Sequence, residues 1–104
     1  MTEERPAYWS VLPASVRYSP CITDGAKLLY SEISALCNKE GYCWASNDYF
    51  ADLYQKDKRT IIRWIREMEK QGFIKCEVAK TEKNTSRRRI YLVDQDAPLL
   101  QSAT

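Results

Sequence analysis

Residues 44–74 read WASNDYFADLYQKDKRTIIRWIREMEKQGFI, and their apolar side chains recur at helical spacing in two segments. Ser46 is suited to cap a short helix that ends at about Tyr54, and Asp57 is suited to cap a longer helix. In the longer helix, apolar side chains fall at the spacing of one buried helix face. These are Ile61, Trp64, Ile65 and Met68. Gly72 is placed to end this helix in the left-handed conformation. The stretch therefore predicts two helices joined by a tight turn.

The flanking residues predict one more helix and a β-hairpin. Upstream, Thr23 can cap a helix that begins at Asp24. Downstream, the apolar period changes from helical to alternating, which predicts strands at 73–78 and 89–93 with a polar tip at 84–86. This element order is that of a mainly helical α+β fold, a winged helix-turn-helix with three helices and a C-terminal wing. A generic three-helix bundle with a hairpin shares the order.

A length of 104 residues predicts one domain. We expect a loose terminus at 1–6, the winged helix-turn-helix domain at 7–93 and a tail at 94–104. Within the domain, 7–23 is predicted to form an extended arm or short strand against the body, because its large apolar side chains would be costly to leave in water. The wing is assigned to 73–93.

Composition argues against several classes of function. The chain has no histidine, and its four cysteines include no C-x-x-C pair, so we predict no metal, no cofactor and cysteines that act as small buried apolar groups. It has no phosphate loop, G-x-S-x-G or paired-carboxylate motif, which predicts no catalytic residue and no enzyme. Neither a membrane span nor the apolar core of a secretory signal is present, so a cytoplasmic protein without a membrane partner is expected.

Charge is segregated along the chain, although the net charge is only +2. Residues 1–55 carry four Lys or Arg against seven Asp or Glu, whereas residues 56–93 carry twelve against five. The basic segment coincides with the longer helix and the hairpin. Such a segment is typical of a face that meets a polyanion.

The candidate site residues lie on the outward side of the longer helix and on the hairpin. In the first half of the helix they are Lys58, Arg59, Thr60, Ile62 and Arg63. In a recognition helix, Arg and Lys bond guanine edges in the major groove, and Thr or Ile touches a thymine methyl group. Ile62 is equally compatible with the edge of the core. The hairpin residues suited to phosphates or the adjacent minor groove are Lys80, Lys83, Arg87 and Arg88.

Residues 44–74 resemble the helix-turn-helix domain of bacterial phage and plasmid replication initiators and replisome organisers. The resemblance extends to LPASVRY at 12–18, to AKLLYSEISALCNKEGYCW at 26–44 and to RRRIYL at 87–92. The two upstream motifs are its more discriminating part.

The resemblance implies binding of double-stranded DNA through the candidate residues. It assigns contacts to Lys58, Arg59, Thr60 and Arg63, with Arg87 and Arg88 in the wing. Proteins of this family often carry a further domain that loads replication proteins, which are therefore a second expected partner. This chain departs from the pattern at Gln55, where such turns commonly have glycine, and at Lys56, where they commonly have an apolar residue.

The sequence leaves different functions open. The first is sequence-specific binding of double-stranded DNA in phage or plasmid replication initiation. The second keeps the fold in a transcriptional repressor, which would act as a homodimer on a palindromic site. The third is a protein-interaction module in which Tyr8, Trp9 and Ile62 form a partner surface and the basic residues keep the domain soluble.

Overall fold

The computed structural model describes residues 9–37 and 41–93, in which four helices precede a β-hairpin. The helices are α1 (Ala14–Arg17), α2 (Asp24–Leu36), α3 (Asn47–Tyr54) and α4 (Lys58–Lys70), and the strands are β1 (Ile74–Lys80) and β2 (Ser86–Leu92). The last three helices and the antiparallel hairpin confirm the α+β winged helix-turn-helix fold. The terminus assigned to 1–6, Tyr8 and the tail assigned to 94–104 lie outside the described residues.

One apolar core joins the helices to the hairpin. All four apolar residues of the stripe predicted in α4 are buried. They pack in one cluster with α2, α3 and β2, whose fully buried side chains include Leu29, Ile33, Phe50 and Ile90. Because α4 turns this stripe inward, most of its remaining residues are exposed.

Helix α4 packs against the start of α2 at Gly25. A Cβ atom at Gly25 would lie 2.1 Å from Cζ2 of Trp64, so only glycine fits there. Beside this contact, Oε1 of Glu67 accepts hydrogen bonds from the backbone N–H and the hydroxyl of Thr23, at 2.9 and 3.0 Å. Both contacts fix the rotation of α4 about its own axis, and thereby determine which of its residues are exposed.

The predicted helix caps are confirmed. The side chains of Thr23, Ser46 and Asp57 accept hydrogen bonds from the backbone N–H groups of Ala26, Tyr49 and Arg59, at 3.4, 3.1 and 2.8 Å. The bond from the Arg59 backbone also holds the pKa of the Asp57 carboxyl below its ordinary value, so this cap stays ionised at neutral pH. Gly72 has φ +77°, as its predicted role after α4 requires.

The turn between α3 and α4 adopts a glycine-like conformation without a glycine. Gln55 has φ 56° and ψ 48°, which places it in the left-handed region. The backbone N–H of Lys56 donates to the carbonyl of Ala51 at 2.9 Å and closes the turn. The departure from the family pattern at Gln55 therefore leaves the turn intact, at the cost of a Cβ atom in an unfavourable position.

The extended conformation predicted for the arm was wrong, although the arm does pack against the body. Ala14–Arg17 form one helical turn, because Pro13 has φ −58° and its carbonyl accepts the N–H groups of Val16 and Arg17. Val16 and Ile22 are buried in the core and Leu12 packs against it, whereas other large apolar side chains of the arm are exposed. The exposed ones are Trp9, Val11 and Tyr18. A polar contact also holds this segment, since the N–H of Val11 donates to Oγ of Ser34 at 2.7 Å.

The hairpin is longer than predicted. Strand β1 continues through Ala79 and Lys80, and β2 begins at Ser86, where the sequence suggests a loop. The added pairs are largely exposed, so no apolar alternation marks them in the sequence. Asn84, at the predicted tip, has φ 62°.

The cysteines are free thiols in different environments. Cys43 is buried and Cys37 and Cys76 are partly buried, whereas Cys21 is exposed, contrary to expectation. Burial raises the pKa of Cys37 to about 12 and that of Cys76 to about 11, so these two thiols stay protonated at neutral pH. Within 9–37 and 41–93, no acidic or cysteine cluster could hold a metal ion, and no helix is long and apolar enough to cross a membrane.

Gly25→Ala is expected to lower the free energy of unfolding by about 1–3 kcal/mol, because the added methyl group overlaps the Trp64 ring. Urea denaturation followed by circular dichroism measures the change. In a Trp64→Leu background the same substitution should cost less, since the ring is gone. Equal costs in the two backgrounds would contradict the close packing of Trp64 on Gly25.

Gln55→Gly is expected to raise the free energy of unfolding by about 1 kcal/mol, because glycine adopts positive φ without the Cβ penalty. The same denaturation experiment measures it. Gln55→Ala is the matched control, since it retains the Cβ atom and should bring no gain. An equal gain from alanine would show that the side chain, and not the backbone conformation, is the source of the cost.

Candidate nucleic-acid interface

The first two turns of α4 carry the predicted recognition residues. Lys58, Arg59 and Arg63 are exposed, whereas Thr60 and Ile62 are half-buried. Ile62 thus lies at the border between the apolar stripe and the solvent-facing cations. This half-buried position is compatible both with a residue at the edge of the core and with a residue that contacts DNA.

The cations of these turns are each paired with a carboxylate, exposed for Lys58 and Arg59 and partly buried for Arg63. The pairs are Lys58 Nζ with Asp48 Oδ1 at 3.1 Å, Arg59 Nε with Asp57 Oδ1 at 3.5 Å, and Arg63 Nε with Glu67 Oε2 at 4.0 Å. The side chain of Arg59 is 90% exposed even in its pair. Exposed ion pairs contribute about 0–1 kcal/mol, so these cations can exchange carboxylate for phosphate or a base edge at little cost.

The basic surface continues along the whole length of α4. An open groove of about 470 Å³ runs along its exposed side, lined by Arg59, Ile62, Arg63, Arg66, Glu67 and Lys70. We call it the α4 groove. Arg66 and Lys70 were not among the predicted site residues, because the sequence argument considered only the first half of the helix. Their spacing from Arg59 and Arg63 places all four on one helix face and could have identified them.

Three of the four predicted wing cations are exposed on the hairpin. Lys80 lies at the end of β1, Lys83 in the tip and Arg87 in β2. The guanidinium of Arg87 is stacked on the ring of Trp44, 4.3 Å from its centroid. Stacking of this kind holds the flat guanidinium in one orientation and leaves its edge free to donate hydrogen bonds.

Arg88, the fourth predicted wing cation, is engaged within the protein. It is half-buried, and its guanidinium donates to Oδ1 of Asn47 and to the carbonyl of Ala45, both at 2.8 Å. These bonds tie β2 to the start of α3. The structure thus sets Arg88 apart from the three exposed wing residues.

The first turn of α3 connects the two basic elements. Asn47 accepts the bond from Arg88 of the wing, and the next residue, Asp48, pairs with Lys58 at the start of α4. The wing and the N-terminus of α4 therefore adjoin the same turn. This arrangement brings the helix and hairpin cations to neighbouring parts of the surface.

Comparison with protein-family models matches residues 22–74 to a helix-turn-helix domain. The match covers about half of the chain and includes all of α2, α3 and α4 with the turn between the last two. No curated protein and no solved structure matched the chain. The match favours the helix-turn-helix over the generic three-helix bundle that the element order also allowed. The chain belongs to the helix-turn-helix domain family and is a DNA-binding domain in which a β-hairpin wing follows the last helix.

Proposed function

We propose that the domain binds double-stranded DNA sequence-specifically and acts in phage or plasmid replication initiation. The observation that carries the DNA assignment is the row of exposed cations along the α4 groove of a helix-turn-helix domain. The replication role rests on the resemblance of residues 12–18 and 26–44 to replication initiators.

In this proposal the N-terminal half of α4 enters the major groove. Arg59 and Arg63, one turn apart on the exposed side, reach base edges, where arginine bonds guanine. Ile62 and Thr60 contact thymine methyl groups. Ile62 is only half-buried in the free protein, so covering it with a methyl group removes further apolar surface from water.

The wing supplies phosphate contacts beside the groove. Lys80, Lys83 and Arg87 are exposed donors that set affinity and register on the duplex. Arg88 acts as a positioning residue, because its bonds to α3 hold the wing at the side of the helix-turn-helix. Affinity is expected to fall steeply as salt rises, since each phosphate contact releases counterions.

Selection of bound duplexes from a random pool, followed by footprinting, tests the proposal. Recovery of one recurrent motif, occupied as direct repeats by monomers, supports a role in initiation. A palindromic motif bound by a dimer contradicts that role and favours a repressor. A pool without enrichment contradicts sequence-specific binding, and a stable protein complex without DNA affinity at low salt favours the interaction module.

Arg59→Ala and Arg63→Ala are each expected to weaken binding to the selected duplex by about 1–3 kcal/mol, because a base contact is lost. Fluorescence anisotropy with selected and scrambled duplexes at one fixed salt concentration measures both affinity and preference. Arg17→Ala is the matched control, since Arg17 is an exposed arginine in α1 and should leave both unchanged. An unaltered preference for the selected site in both α4 variants would contradict direct readout.

A further inference from the structure

The hairpin has an outer side that points away from the helices. Ile90 of β2 is fully buried in the core shared with the helices. Successive side chains of a strand point to opposite faces, so Arg89 and Tyr91 lie on the outer side. Arg87, two residues from Arg89, lies there too.

A short segment before α3 adds aromatic residues to this outer side. Cys43 forms a single antiparallel bridge with Ile90 and is buried with it. Directly opposed residues share a face, so Cys43 lies on the buried face with Ile90. Tyr42 and Trp44, the residues on either side of Cys43, therefore lie on the outer side with the arginines. Neither Tyr42 nor Trp44 was identified as a site residue from the sequence, because this placement depends on the bridge.

The aromatic and basic side chains of the outer side are in contact. The guanidinium of Arg87 lies 4.3 Å from the Trp44 ring centroid, and that of Arg89 lies 4.5 Å from the Tyr42 ring centroid. The rings of Tyr42 and Tyr91 are 5.8 Å apart between centroids. We call these five residues the outer sheet face.

The outer sheet face is both accessible and positively charged. Trp44 is 49% exposed, although large aromatic rings are costly to leave in water. A cleft of about 290 Å³ lies beside it, and none of its lining residues is acidic. Lys80 and Thr81 from the hairpin line this cleft with the two arginines. Glu77, which is opposite Arg89 in register, is paired with Lys75 at 3.1 Å.

We propose that the outer sheet face binds an unpaired strand of DNA. A base stacks on the exposed part of the Trp44 ring, while Arg87, Arg89 and Lys80 neutralise the adjacent phosphates. Exposed aromatic rings beside a basic cleft are the combination that binds single strands, because every base has a π-face and every linkage carries a charge. Bases inside a duplex are already stacked and cannot use the ring. The choice of DNA rests on the proposed function. The surface is separate from the α4 groove and shares only Lys80 and Arg87 with the duplex contacts proposed for the wing.

Parallel titrations of two labelled ligands test this proposal on the full chain. The ligands are an oligothymidylate of about ten nucleotides and the selected duplex, and the readout is anisotropy. Trp44→Leu keeps an apolar side chain and removes the ring. It is expected to weaken oligothymidylate binding by about fivefold or more, and duplex binding by less. Arg59→Ala should weaken duplex binding more than oligothymidylate binding.

Trp9→Leu is the matched control, because Trp9 is an even more exposed tryptophan that lies outside the outer sheet face. It should leave oligothymidylate affinity unchanged. Equal losses of oligothymidylate affinity in the Trp9 and Trp44 variants would overturn the proposal, as would unchanged affinity in Trp44→Leu. Tighter binding of oligouridylate than of oligothymidylate would overturn the assignment to DNA. The proposed duplex function fails separately, through unchanged duplex binding in Arg59→Ala.

Two further measurements do not depend on the folding of the Trp44 variant. Arg89→Gln removes a surface charge and is expected to weaken oligothymidylate binding more than duplex binding. In the Trp9→Leu chain, Trp44 is the exposed tryptophan and Trp64 is buried. Oligothymidylate should therefore quench the fluorescence of this chain, because a base stacks on Trp44. Absence of quenching at saturation would overturn the proposal.

Discussion

The contact between Trp64 and Gly25 is the constraint on which the arrangement of the basic surface depends. The indole ring occupies the space that any Cβ atom at position 25 would need, so α4 lies directly against the start of α2. The paired bonds from Thr23 to Glu67 add a polar contact at the same crossing. With one side of α4 held in this way, Arg59 and Arg63 have only the solvent side available.

A small number of polar contacts at the start of α3 likewise positions the wing. The first turn of α3 bonds Arg88 through Asn47 and Lys58 through Asp48, so one short segment links β2 to the recognition helix. Residue parity in β2 then divides the three consecutive arginines between two sides of the hairpin. Arg88 points towards the helices, while Arg87 and Arg89 stack on aromatic rings. Arg88 therefore holds the wing against α3, while Arg87 and Arg89 contribute charge to the outer sheet face.

Local features of the fold, such as helix caps, were predictable from the sequence. Features that depend on the pairing of strands were not. The caps at Thr23, Ser46 and Asp57 and the buried stripe of α4 follow from residue type and spacing within one turn or one helix. The ends of the strands and the contacts of Arg88 depend on the register between β1 and β2, which the exposed part of the hairpin does not encode as an apolar pattern. The position of Trp44 depends on the Cys43–Ile90 bridge across distant parts of the chain.

The exposed side of α4, together with the wing, is the surface that we propose meets the duplex. Titration of the isotope-labelled protein with the selected duplex, followed by amide chemical shifts, tests it most directly. We expect the largest shift changes in residues 58–63 and 80–87, with α1 unaffected. Changes concentrated in α1 and the preceding arm, with the amides of α4 unmoved, would contradict it.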